Sequence, residues 1–107
     1  MILLYTTKMN TKLKLEEISN TCLSELTKYK FNKGLDISDK YRRGKIASLQ
    51  YVLDLIYHFF ERDKMLKIEF EGLISSQIDS TSQLKSGDYR NGIGEVLNEV
   101  ITLLNEK

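Results

Sequence analysis

Two segments of the chain place an aromatic ring, a cation and a glycine at what reads as the start of a helix. They are Tyr41-Arg42-Arg43-Gly44 and Tyr89-Arg90-Asn91-Gly92. A helix N-terminus carries free N–H groups and the positive end of a dipole, so it accepts anions. An arginine there adds a bidentate donor, and a tyrosine adds a ring on which a base can stack. Tyr41, Arg42, Tyr89 and Arg90 are therefore candidate ligands for a nucleotide or other small anion. The same residues have a structural use. The tyrosine can pack on the preceding helix, the glycine can admit a close helix crossing, and the arginine can pair with a nearby carboxylate.

The surrounding charge suggests a second kind of site. Lys40, Arg42, Arg43 and Lys45 form a basic cluster at a helix start, opposing the dipole at a cost of a few tenths of a kcal/mol per charge. Such a cluster can meet an acidic protein surface or nucleic-acid phosphates. In the second segment Asp88, Arg90, Asn91 and Ile93 occupy the matching positions, which weakens a nucleic-acid reading. Tyr51, Tyr57, His58, Phe59 and Phe60 follow on the same helix and point in several directions, because successive residues turn by about 100°. One small core cannot cover them all, and exposed apolar side chains mark interfaces. Arg42, Arg43, Lys45, Tyr51, Tyr57 and His58 are accordingly the candidate partner-binding residues.

Catalytic and metal chemistry find little support. His58 is the lone histidine and Cys22 the lone cysteine. With Glu61 one turn away, His58 offers two ligands where a zinc site needs three or four. Cys22 falls on the apolar face of its helix, where a thiol is packing rather than nucleophile. No phosphate loop, dinucleotide fingerprint or zinc spacing is present. The expectation is a non-enzymatic protein with no cofactor and no metal.

The two segments belong to an internal repeat. Tyr89 follows Tyr41 by 48 residues, and Ser86 follows Ser38 by the same interval. Behind them Leu49, Val52, Leu53, Leu55 and Ile56 are matched by Leu97, Val100, Ile101, Leu103 and Leu104. Self-similarity at a fixed period dictates architecture. The run from Tyr89 to Ile101, Tyr-Arg-Asn-Gly-Ile-Gly-Glu-Val-Leu-Asn-Glu-Val-Ile, and the similar Tyr41-Arg42-Arg43-Gly44-Lys45-Ile46 resemble a pattern common in small phage and mobile-element proteins. The resemblance implies a small all-α accessory protein that works by binding. Some such proteins block host defence, by occluding an effector or sequestering a signalling nucleotide. It assigns no residue a role.

The elements that position these residues follow from apolar spacing. Leu15, Ile18, Cys22, Leu26 and Tyr29 recur every three or four residues and predict a first helix over about 11–30. Asn32-Lys33-Gly34 supplies its stop. A second helix starts between Asp36 and Ser38, either of which can cap it, and runs to about residue 64. Its stripe is Ile46, Leu49, Leu53, Ile56 and Phe60, widened by Val52, Leu55 and Phe59, as befits a central helix. A third spans about 65–84 with Leu66, Phe70, Leu73, Ile74, Gln77 and Ile78 on one face. Gly72 in its middle is either tolerated or marks a close backbone crossing. Ser86-Gly87-Asp88 reads as turn and cap for a fourth, 88–105. Residues 1–10 do not read as helix: Ile2-Leu3-Leu4-Tyr5 suggests a strand or a docking arm, or translation starts at Met9 and leaves an extension.

The expected fold is all-α, a four-helix bundle or two stacked antiparallel hairpins, in one domain with halves at about 11–63 and 64–107. The 107 residues, 41% hydrophobic and 29% charged, suit a folded domain of that size. The net charge of +1 provides no global field toward nucleic acid or membrane. No apolar run approaches the roughly 18–20 residues of a membrane span, the N-terminal apolar stretch is too short for a signal peptide, and one cysteine suits a reducing compartment, so the cytoplasm is expected. The leading expectation is a protein–protein interaction module, self-associating and binding another protein. Small-anion binding is second, and a nucleic-acid-binding accessory factor third.

Overall fold

Without proline, long stretches of this chain have no obligatory helix breaker. In the computed structural model four helices follow one another: α1 (Ile2–Phe31), α2 (Asp39–Glu61), α3 (Lys67–Thr81) and α4 (Asp88–Leu104). The structure describes residues 2–32, 34–61 and 67–106, with side chains from Thr11 onward. The expected end of the second helix at residue 64 and the expected apolar position Leu66 lie outside the described residues.

The fold is all-α, built from two hairpins, α1–α2 and α3–α4. They dock through their second helices: the most extensive contact is α2 against α4, followed by α1 on α2 and α3 on α4. α1 also touches α4, while α1 and α3 lie on the outside with no substantial contact between them. The core is continuous across the hairpins. Leu15, Ile18 and Cys22 come from α1, Leu49, Val52 and Ile56 from α2, Phe70 and Ile74 from α3, and Val96, Leu97 and Val100 from α4. Phe59 near the end of α2 meets Phe70 near the start of α3 edge to face, with centroids 5.6 Å apart.

Local departures from the sequence reading have physical causes. Residues 2–10, expected as a strand or arm, continue α1, which reaches Ile2. No glycine or proline interrupts this stretch, and its threonines cost only tenths of a kcal/mol each as helix formers. On α2 the buried arc is centred on Leu49, Val52, Ile56 and Phe59, whereas Leu53 and Phe60 are half-buried at its edge. Contact with α4 on one side and α1 on the other sets that centre. α3 stops at Thr81 rather than 84. Ser82, Gln83 and Leu84 instead donate backbone bonds to carbonyls three residues back. Leu73, expected in the core, is exposed, and Gly72 faces open space, so α3 tolerates it without a close crossing.

The helix starts differ between the halves. Ser38 caps α2, its Oγ accepting the Tyr41 N–H at 3.1 Å. The matching Ser86 lies one residue too early: Gly87 holds the N-cap of α4 with φ 154° and makes no side-chain cap bond. That backbone conformation suits glycine alone. The second copy is thus one residue shorter between its first-turn aspartate and its tyrosine: Asp39 precedes Tyr41 by two positions, and Asp88 precedes Tyr89 directly.

Candidate functional site

The two Tyr-Arg-x-Gly segments meet. A methyl group on Gly44 would run into the Tyr89 carbonyl oxygen, and one on Gly92 would stand 2.5 Å from the Tyr41 carbonyl oxygen. Each motif supplies the glycine that accommodates the other's backbone, as in an isologous two-fold contact. The internal repeat is therefore a helix-crossing device, and both glycines are buried.

Around this crossing the predicted residues part company. Arg42 Nη1 donates to the Tyr29 carbonyl at 3.2 Å, in the last turn of α1, and its Nη2 bonds Asp39 at 3.2 Å. It joins the end of one helix to the start of the next. Arg43 pairs with the other Asp39 oxygen at 2.7 Å on the surface. Lys45 is 7% exposed, with Nζ 5.4 Å from the Tyr41 ring centroid and 5.7 Å from that of Tyr29. The basic cluster read from the sequence is therefore not a continuous basic face: Arg42 ties helices together, Arg43 is paired, Lys45 is buried between rings, and Lys40 is exposed on the surface. Arg90 is half-buried and forms no ion pair among the described residues, because Asp88 lies two positions before it rather than a helical turn away.

The Tyr41 and Lys45 side chains, with Arg90, Asn91, Glu95, Asn98 and Glu99 of α4, line an open groove of about 970 Å³. Burial raises the Tyr41 hydroxyl above its ordinary pKa, and a hydrogen bond to Glu95 adds to the rise. Burial acts to lower the Lys45 ammonium, but the Tyr41 hydroxyl bond together with Tyr29 and Glu95 outweighs it and leaves the group raised. Glu99 is raised by burial and by Glu25, with Lys45 opposing. Burial, then Glu25 and Glu99, pushes the Cys22 thiol up to about 12, so it is protonated and unreactive at neutral pH.

Tyr29, Glu25, Glu95 and Glu99 had no part in the sequence reading of the site. Glu95 and Glu99 stand one helical turn apart on α4, a spacing that could have signalled them. Tyr51 is half-buried at a smaller cavity of about 270 Å³ between α2, α3 and α4. Burial raises its hydroxyl pKa, with a Gln77 hydrogen bond opposing. Tyr57 and His58 are exposed on α2, and Tyr89 is exposed at the start of α4. The sequence-predicted residues thus fall into a crossing, a groove and a free surface. Among the described residues no helix is long and apolar enough to cross a membrane. No protein-family model, curated protein or solved structure matches the chain.

Proposed function

We propose that this protein acts without catalysis, by binding another protein through exposed apolar side chains. One observation carries the reading: Leu13 and Phe31, 55% and 76% exposed, point away from the core on α1, and Leu23, 55% exposed, lies about 80° round the helix from them. Tyr57 and His58 on α2 offer a second exposed position. Several large apolar groups exposed along one helix give a partner protein apolar area to bury. The similarity of the Tyr-Arg-x-Gly segments to those of phage and mobile-element accessory proteins is in keeping with a factor that occludes a surface on its target. The test is a photoreactive amino acid placed at Leu23, at Tyr57 and, as a control, at Gln83, in cells that make the protein. Protein adducts at Leu23 or Tyr57 and none at Gln83 support the reading. No adduct at either position overturns it.

A second reading rests on the groove beside α4. Tyr41, Lys45 and Arg90 there could hold an anion-bearing small molecule such as a nucleotide, and among the described residues Arg90 forms no ion pair. Asp88, Glu95 and Glu99 line the same groove and oppose an anion, which places this reading second. Native mass spectrometry of gently purified protein tests it. An added mass that disappears in Arg90→Ala supports it, and a bare chain counts against it.

A further inference from the structure

α2 and α3 are joined at one end and parted at the other. Phe59 and Phe70 meet where α2 ends and α3 begins. From there α2 and α3 make little direct contact, and each rests on α4 instead. At the parted end the facing side chains are short: Ala47 and Ser48 on α2, Ser80 and Thr81 on α3. Side chains of that size leave the space between two helices unfilled, and a cavity of about 270 Å³ remains. Ile93 and Leu97 of α4 form its floor. Half-buried Tyr51 and Leu84, 41% exposed, reach solvent at its mouth.

The lining restricts what fits. Among the described residues no charged side chain lines this cavity, so an ion there would lose its hydration without a counter-charge. The buried Ser48 and Thr81 hydroxyls already donate to carbonyls of their own helices, at 2.8 and 2.7 Å. The polar exception is Tyr51 with Gln77. Their hydrogen bond favours the ionised phenol, as it does when the Gln77 amide donates to the phenolic oxygen. The Tyr51 O–H is then left to donate elsewhere, and its ring offers an aromatic surface.

We infer that this cavity binds a small uncharged aromatic compound with one hydrogen-bond acceptor at its edge. The ring lies on Ile93 and Leu97, and the acceptor meets the Tyr51 hydroxyl. An apolar cavity of about 150 Å³ is enough for benzene, so the larger space here takes one ring with a short substituent. The inference is independent of the protein-binding reading and of the anion reading, since Tyr41, Lys45 and Arg90 do not line this cavity.

Titration of the full chain with three compounds of similar size, followed by backbone amide chemical shifts, tests this. Acetophenone carries a ring and a carbonyl acceptor, α-methylstyrene keeps the shape without the acceptor, and benzoate adds a charge. Acetophenone is expected to shift the Ala47, Ile93 and Leu97 signals saturably, with a dissociation constant of about 1 mM for so few atoms. Benzoate should give no saturable shift there. Tyr51→Phe should weaken acetophenone about fivefold to tenfold and leave α-methylstyrene unchanged. Ala47→Leu and Ser80→Leu each fill the cavity from one wall and should weaken acetophenone about tenfold or more. Ala47 is half-buried and Ser80 exposed, so the amide spectrum away from the cavity should stay as in the wild type. No saturable shift from acetophenone, equal binding of benzoate, or acetophenone binding indifferent to both leucine variants overturns the inference. Loss of both neutral compounds, or of neither, in Tyr51→Phe overturns the acceptor contact.

Discussion

Gly44 of α2 rests against the backbone carbonyl of Tyr89, leaving no room for a side chain. The reciprocal contact of Gly92 with Tyr41 makes the pair a two-way lock where the first turns of α2 and α4 cross. Gly44→Ala and Gly92→Ala should each destabilise the protein by about 1–3 kcal/mol, because the helices must separate, even though alanine is the better helix former. Gly72→Ala and Gly94→Ala meet nothing within 4 Å and should stabilise it by about 0.5–1 kcal/mol. Urea unfolding of the four variants checks the contrast. Equal effects at all four positions would remove the crossing from its central role.

The two arginines of the repeat should behave differently. Arg42 holds the Tyr29 carbonyl and Asp39, so Arg42→Ala should cost about 1 kcal/mol, a modest figure because the side chain is partly solvated. Among the described residues Arg90 makes no such bonds, and Arg90→Ala should change stability by less than about 0.5 kcal/mol. Thermal unfolding of both variants reads the difference.

Glu99 should make stability fall with rising pH. Its carboxyl is raised above the ordinary 4.5, first by burial and then by Glu25. The folded chain therefore holds that proton more tightly than the unfolded chain does. The associated stability is full below the unfolded value and is lost as pH rises through the folded one. Glu99→Gln should raise the thermal midpoint at neutral pH and give no gain once both carboxyls are protonated. A gain independent of pH would mean that the charge is not the cause.

Cys22 should be silent to thiol reagents in the folded state. It is 2% exposed, and burial followed by the neighbouring Glu25 and Glu99 carries it from 9.0 to about 12. A thiol-reactive dye at neutral pH should label it only on unfolding, at the rate set by opening of the structure. Because the unfolded thiol ionises first, stability should also decline as pH rises above the ordinary thiol range. Rapid labelling of native protein would contradict its burial.

The helices, the core face of α1 and the Ser38 cap could be read directly from residue spacing. An apolar residue every three or four positions reports which side of a helix is buried, and a serine before a helix start reports a cap. The repeat was equally legible. What it does was not, since spacing says that a face is buried but not what it is buried against. Gly44 and Gly92 acquire their purpose only when α2 and α4 cross. Lys45 reads as a surface cation until Tyr29, from another helix, closes over it with Tyr41. Arg42 reads as an anion donor until the end of α1 arrives with a carbonyl to satisfy. Periodicity is a property of one helix and is written in its sequence. The fate of a charge or a glycine depends on atoms contributed by other helices, and only tertiary packing brings those within reach.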